Sequence, residues 1–236
     1  MQLLPNSSAM LAKTRESIDK LLDSEAVMQL DLFRFDGGVL KDEKDSVFTL
    51  FDDLTKYELD KRSRKSDRHN SIDEAILKSE ILRSWQDARS GLTDYPIYSR
   101  YLSKYREFDG DDYDSLNREI KEKGVLLPAK QLLFRGAISG AQGFDWTRPL
   151  STTIHPRMAA YHAFKHWEHG SDCHLTLAAI IVPLDKKLNA IVGPFGEDLE
   201  FGQEYEVLTN FESSPVYVET KTEKNITYQM LSWQVK

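Results

Sequence analysis

The sequence predicts an α+β fold, with helices in the first half of the chain and strands in the second. Two observations carry this. Up to about residue 127 the apolar residues recur at helical spacing, as at Val47, Leu50, Phe51 and Leu54. After Pro128 they form short continuous runs, the clearest being His174 to Val182, which Pro183 terminates. Helices first and strands after differs from alternating βαβ, and no G-x-G-x-x-G or Walker A sequence is present, so neither a Rossmann nor a P-loop site is expected.

Taken in order, Ser7 and Ser8 can cap a helix running to about Val27, with Leu11, Ile18, Leu21 and Leu22 as its apolar stripe. Asp36-Gly37-Gly38 reads as a turn, and the Val47–Leu54 helix follows. Five of the nine residues from Lys61 to His69 are Lys or Arg, which marks a solvated join or, alternatively, a contact for an acidic partner or a phosphate backbone. Ser71-Ile72-Asp73-Glu74 is a capping box opening a helix that reaches Trp85. Another helix is expected from Pro96, with Ile97, Tyr101, Leu102 and Tyr105 inward. Asp109 to Asp114 invites a calcium reading, but Asp114 stands where an EF-hand loop needs glycine; an N-cap for a helix through Leu116 and Ile120, ended by Gly124, fits better. The strand candidates are Leu132–Gly136, His174–Val182, Ile191-Val192, Tyr205–Thr209, Val216–Val218 and Ile226–Trp233, with one helix among them from Pro156 to His166. Residues 1–70 read as a helical N-terminal extension and 71–236 as the main domain, its part 71–127 helical and 128–236 rich in strands.

Composition narrows the function. The 236 residues are 40% hydrophobic and 29% charged, as in an ordinary globular protein, and the net charge of −7 argues against a mainly nucleic-acid-binding surface. Cys173 is the one cysteine, so no internal disulfide forms and a reducing compartment suits the chain. No stretch has the roughly 20 apolar residues that a membrane helix needs, and the N-terminus does not read as a signal peptide. A cytoplasmic monomer is the expectation.

Three short signals carry chemistry. Arg135 is expected at the end of an apolar strand and is followed by Gly136. A guanidinium there needs an anion, and its planar fork suits a phosphate or pyrophosphate, although a structural salt bridge would also satisfy it. Ser151-Thr152-Thr153 precedes the Pro156 helix, where hydroxyls either cap or hold a catalytic carboxylate. Glu204 and Glu206 enter an apolar run two residues apart; on a strand they would share a face, either as a solvated strand end or as a working pair.

In this order the three signals resemble the arginine-strand, S-T-S, E-x-E pattern of mono-ADP-ribosyltransferases, the branch that includes clostridial binary toxins, vertebrate ecto-enzymes and phage host-modifying enzymes. The spacings agree, with 16 residues from Arg135 to Ser151 and 55 from Ser151 to Glu206, and the resemblance covers about residues 90–236. Thr153 replaces the last serine, and Tyr205 stands where many relatives have Gln. The resemblance implies helices packed on a two-sheet β-sandwich and an enzyme that cleaves NAD at the nicotinamide–ribose bond. It implies Glu206 beside the oxocarbenium-like ribose, Ser151 orienting it, Arg135 on the NAD phosphates, and Gly136, Thr152 and Thr153 around the cofactor. Phe134, Tyr161, Phe164 or Trp167 would stack on nicotinamide. Glu204 implies an arginine acceptor on a target protein, with Phe195, Glu197 and Phe201 in the recognition loop. No metal is implied: the span His162, His166, His169, Cys173 and His174 could bind zinc, but no H-E-x-x-H is present. Nucleic acid is expected as a partner only through Lys61–Arg68. Water, a nucleic acid or a small guanidine compound as acceptor, or a silent NAD-binding or interaction module, are the other readings. The setting implied is a phage or bacterial enzyme acting in a host cytoplasm, or an injected effector.

Overall fold

The computed structural model describes residues 94–127, 131–139, 145–146, 148–165, 174–182, 188–193, 204–210 and 216–232, with residue 85 and residues 47–48, 50–52, 54–56 and 58–59. The expected helix at Ser7–Val27, the turn at Asp36, the basic segment at Lys61 and the Ser71 capping box lie outside these residues. The described elements are α1 (Pro96–Lys104), α2 (Gly110–Lys123), β1 (Val125–Leu127), β2 (Leu132–Ser139), β3 (Leu150–Thr153), α3 (Pro156–Lys165), β4 (His174–Ile181), β5 (Leu188–Val192), β6 (Glu206–Thr209), β7 (Val216–Glu223) and β8 (Ile226–Ser232). Helix precedes strand, as expected. Among the described residues no helix is long and apolar enough to cross a membrane.

The resemblance implies two facing sheets. The strands instead join in one eight-stranded order, β1-β5-β6-β3-β2-β4-β8-β7, with β4 and β8 parallel and the other pairs antiparallel. The joint at its centre is narrow. Every residue of β2 has a partner on β4, whereas β2 and β3 share one register pair, Phe134 with Thr153. The sheet is therefore two four-stranded halves that part company just where the arginine and the hydroxyl run meet.

Burial explains the elements. In β4, Leu175, Leu177, Ala178, Ala179 and Ile180 are fully buried, as an apolar run broken only by Thr176 requires. Helical residues Val47, Phe48, Leu50, Phe51 and Leu54 join the same core, with the Phe51 ring edge-on to Phe134 at 6.0 Å. Tyr228 of β8 donates a hydrogen bond to Thr55 Oγ1 at 3.1 Å. A second, smaller cluster packs α1 and α2 onto β5 and β6 through Tyr95, Tyr98, Leu116, Ile120, Ile191 and Leu208.

The helix ends follow local chemistry. Pro96 opens α1 at its first position. Asp109 caps α2 and forms a reciprocal capping box with Asp112, so two of the acidic residues that suggested calcium serve the helix end. Gly124 ends α2, though with φ of −66° and not in the left-handed form. Tyr105, expected inward, is 49% exposed because α1 gives way to a 3-10 turn at that residue, and Tyr98 is the buried tyrosine of this helix.

Candidate active site

Arg135 lies inside β2 and not at its end, because the strand continues to Ser139. Alternation places Phe134 and Gly136 on the face toward α3 and the core, with Arg135 on the other. A Cβ on Gly136 would overlap the carbonyl oxygen of Ala159 and press on Ala163. Gly136 is thus required by helix–strand packing, a cause different from the ligand approach the sequence suggested.

Ser151, Thr152 and Thr153 form most of β3, and each hydroxyl has its own partner. Ser151 Oγ donates to Glu206 Oε1 at 2.6 Å. Thr152 Oγ1 donates to the Val207 carbonyl at 2.5 Å, which ties β3 to β6 from the buried side. Thr153 Oγ1 donates to the Glu204 carbonyl at 2.9 Å and accepts from the His155 amide at 3.0 Å. Ser151 pairs with Leu208 and Thr153 with Glu206 in register, so the Ser151–Glu206 bond is a diagonal contact on one face of the sheet.

The two glutamates do not alternate along a strand. β6 begins at Glu206, Glu204 lies in a 3-10 turn just before it, and Tyr205 between them has φ of 49°. This left-handed residue is held by burial and by its ring beside His155, 5.3 Å centroid to centroid. Both glutamates nevertheless line the same cleft.

That cleft has a volume of about 390 Å³ and brings together Arg135, Gly136, Ser151, Thr152, Thr153, Glu204 and Glu206. Tyr101 and Leu102 of α1 and Tyr105 of the 3-10 turn after it also line the cleft, and α3 adds His162 and Lys165. Arg135 bridges the gap between the two half-sheets by donating from its guanidinium to the Ser151 carbonyl. Burial lowers the Arg135 pKa, while the Tyr101 and Glu206 charges oppose that shift. Burial pushes the Glu206 carboxyl above its ordinary value, against the hydrogen bonds from Ser151 and Tyr98 and the charge of Arg135. Burial also raises Glu204, helped by the negative Glu206 and opposed by Lys165. The Tyr101 phenol is held well above its ordinary range, first by burial and then by Glu206.

Tyr98 is a part of the site that sequence reasoning missed. It is fully buried and its hydroxyl donates to Glu206 Oε2 at 2.7 Å, so both oxygens of that carboxylate are held by hydroxyls. A signal was available: Tyr98, Tyr101 and Tyr105 recur at helical spacing, and a stripe of phenols in place of aliphatic residues implies polar partners. Among the aromatic candidates for stacking, Phe134 and Phe164 are buried in the main core, Phe164 outside the cleft lining. Tyr161 packs with His162 and Lys165 on α3, outside the lining as well. Trp167, Phe195, Glu197 and Phe201 lie outside the described residues, as do His166, His169 and Cys173. Of the zinc candidates, His162 lines the cleft and His174 is exposed at the start of β4; among the described residues no group of His, Cys, Asp and Glu is placed to hold a metal.

No family model and no curated protein matches the sequence. Among solved structures the chain is similar to the ADP-ribosyltransferase Vis in complex with agmatine, with 18% identity over 83% of this chain and 86% of that one and a TM-score of 0.36. It is similar to the same enzyme with an M6 inhibitor, with 14% identity, 84% and 86% coverage and a TM-score of 0.37. It is also similar to the Vis toxin of Vibrio splendidus, with 12% identity, 80% and 85% coverage and a TM-score of 0.34. These TM-scores are too low for the likeness to carry fold or activity over to this chain.

Proposed function

We propose that this chain is an NAD-dependent mono-ADP-ribosyltransferase that modifies arginine side chains of a target protein. The observation that carries the reading is the Glu206 carboxylate, pinned by Ser151 and Tyr98 in a cleft it shares with the half-buried Arg135 and with Glu204. The cleft volume suits a small-molecule ligand. An arginine fork fits a pyrophosphate, and a fixed carboxylate fits a developing ribose cation.

In the proposed step the bond from ribose C1′ to the nicotinamide nitrogen breaks and its electron pair leaves with nicotinamide. Glu206, already held and partly desolvated, stabilises the positive charge at the ribose without reorganising. The acceptor guanidine nitrogen forms the new bond to C1′, and its proton passes to Glu204. The raised pKa of Glu204 is the direction a base needs for work near neutral pH, and a carboxylate can also hold the guanidinium by two hydrogen bonds.

Incubation with labelled NAD and a cell lysate tests the reading. Label on protein that fragmentation by mass spectrometry places on arginine side chains is the expected result. Free ADP-ribose alone would make the chain an NAD glycohydrolase, and absence of NAD consumption under every condition would sink both. Glu204→Gln is expected to keep NAD cleavage within a few-fold of wild type while losing transfer to arginine; full transfer by that variant would show that Glu204 does not set the acceptor.

A further inference from the structure

We propose that Tyr98 and Glu119 are positioning residues for Glu206, with Tyr98 holding its second carboxylate oxygen and Glu119 holding Tyr98. The inference rests on the reading of the cleft given above.

The starting point is a charge in an unusual place. Glu119 belongs to α2 and is only 6% exposed. A buried carboxylate is costly unless its oxygens are bonded. Here they face the first turn of α1: Tyr98 N donates to Oε2 at 2.7 Å and Ile97 N to Oε1 at 3.4 Å, with Lys123 Nζ at 3.6 Å. Tyr95 supplies no side-chain cap, and Pro96 has no N–H to give, so these are the helix amides left over at that end. A serine at position 95 could have capped α1 without burying a charge. The arrangement found fixes the backbone of the residue whose phenol reaches the site.

Tyr98 spans the smaller core cluster. Its amide is bonded to α2, its ring is fully buried, and its hydroxyl ends on Glu206 Oε2. The hydroxyl is confined from a third side, since a Cβ on Gly193 would lie 3.0 Å from it. With Ser151 on Oε1 the carboxylate cannot swing, and each oxygen keeps a second acceptor position for a ligand hydroxyl. The groups that face Glu206 are Arg135 from β2, Tyr98 and Tyr101 from α1, and Glu204 from the turn before β6. A hydroxyl donor favours the ionised carboxylate, so losing it leaves Glu206 protonated to higher pH.

The test uses the full chain with Tyr98→Phe and Glu119→Gln, reading nicotinamide release against pH and the carbon-13 titration of the Glu206 carboxyl. Tyr98→Phe is expected to lose about tenfold in rate on the acid side and much less on the alkaline side. Its Glu206 midpoint should move upward. Glu119→Gln leaves the phenol in place and should show the same pattern at about threefold, because an amide oxygen caps α1 less firmly. Rates that fall by one factor at every pH, with the Glu206 midpoint unmoved in both variants, would overturn the proposal. A wild-type chain that consumes no NAD would remove the enzyme reading alone, since the carbon-13 midpoints still decide whether Tyr98 and Glu119 act on Glu206.

Discussion

The two edges of β2 differ sharply. Toward β4 the strand is paired along its whole length, and the partner residues are almost all buried and apolar. Toward β3 a single register pair remains, and the hydroxyls and carboxylates gather beside the opening. One strand thus serves as core on one side and as the lip of a cleft on the other. Where the ladder is given up, the Arg135 side chain ties the halves across the gap by donating to the Ser151 carbonyl.

The largest expected effect comes from the open edge. Glu206→Gln should reduce NAD cleavage by about a thousandfold, measured as nicotinamide release. The same variant should melt higher than wild type near neutral pH. Burial raises the folded-state pKa of Glu206 above its unfolded value, so its contribution is intact below the unfolded pKa and is lost as pH rises through the folded one. The stability advantage of the glutamine should therefore vanish in acid, and equal melting at all pH values would contradict it.

The closed edge should respond in stability. Gly136→Ala forces a methyl into the Ala159 carbonyl, and a loss of about 3 kcal/mol is expected from denaturant unfolding. An alanine tolerated there would mean that α3 sits farther from β2 than described. Arg135→Lys tests the joint between the two edges. It keeps the charge but loses the planar fork, and the NAD KM should rise at least about tenfold with little change in melting. A lysine variant with unchanged KM would assign Arg135 to holding the halves together and to nothing else.

How far the sequence could be read follows from which interactions are local. The strand β4 announced itself because the run Leu175 to Val182, broken only by Thr176, had nowhere to go but a core. Arg135, Ser151 and Glu206 were visible as three polar residues in a fixed order, each at a place where burial demands a partner. The helix-and-strand order was legible for the same reason. The shared cleft of Glu204 and Glu206 was expected from strand alternation, yet it arises from a backbone reversal at Tyr205, which no periodicity encodes. The single sheet order was hidden because pairing between strands is a long-range choice. Glu119 was hidden too: set among Arg118, Lys121, Glu122 and Lys123, it reads like any residue of a solvated helix face, and only the approach of α1 makes it a buried cap.

The helical residues between Val47 and Leu59 lend the core more than area. Phe51 lies against both Phe134 and Tyr228, one from each of two strands in the half-sheet that carries Arg135. A chain shortened to begin at residue 71 would bare those rings to water, directly beneath the strand on which the arginine stands. The strand-rich part is consequently not a portable unit. A fragment meant for fusion or transplantation has to carry the Val47 helix with it, however little that helix has to do with the cleft.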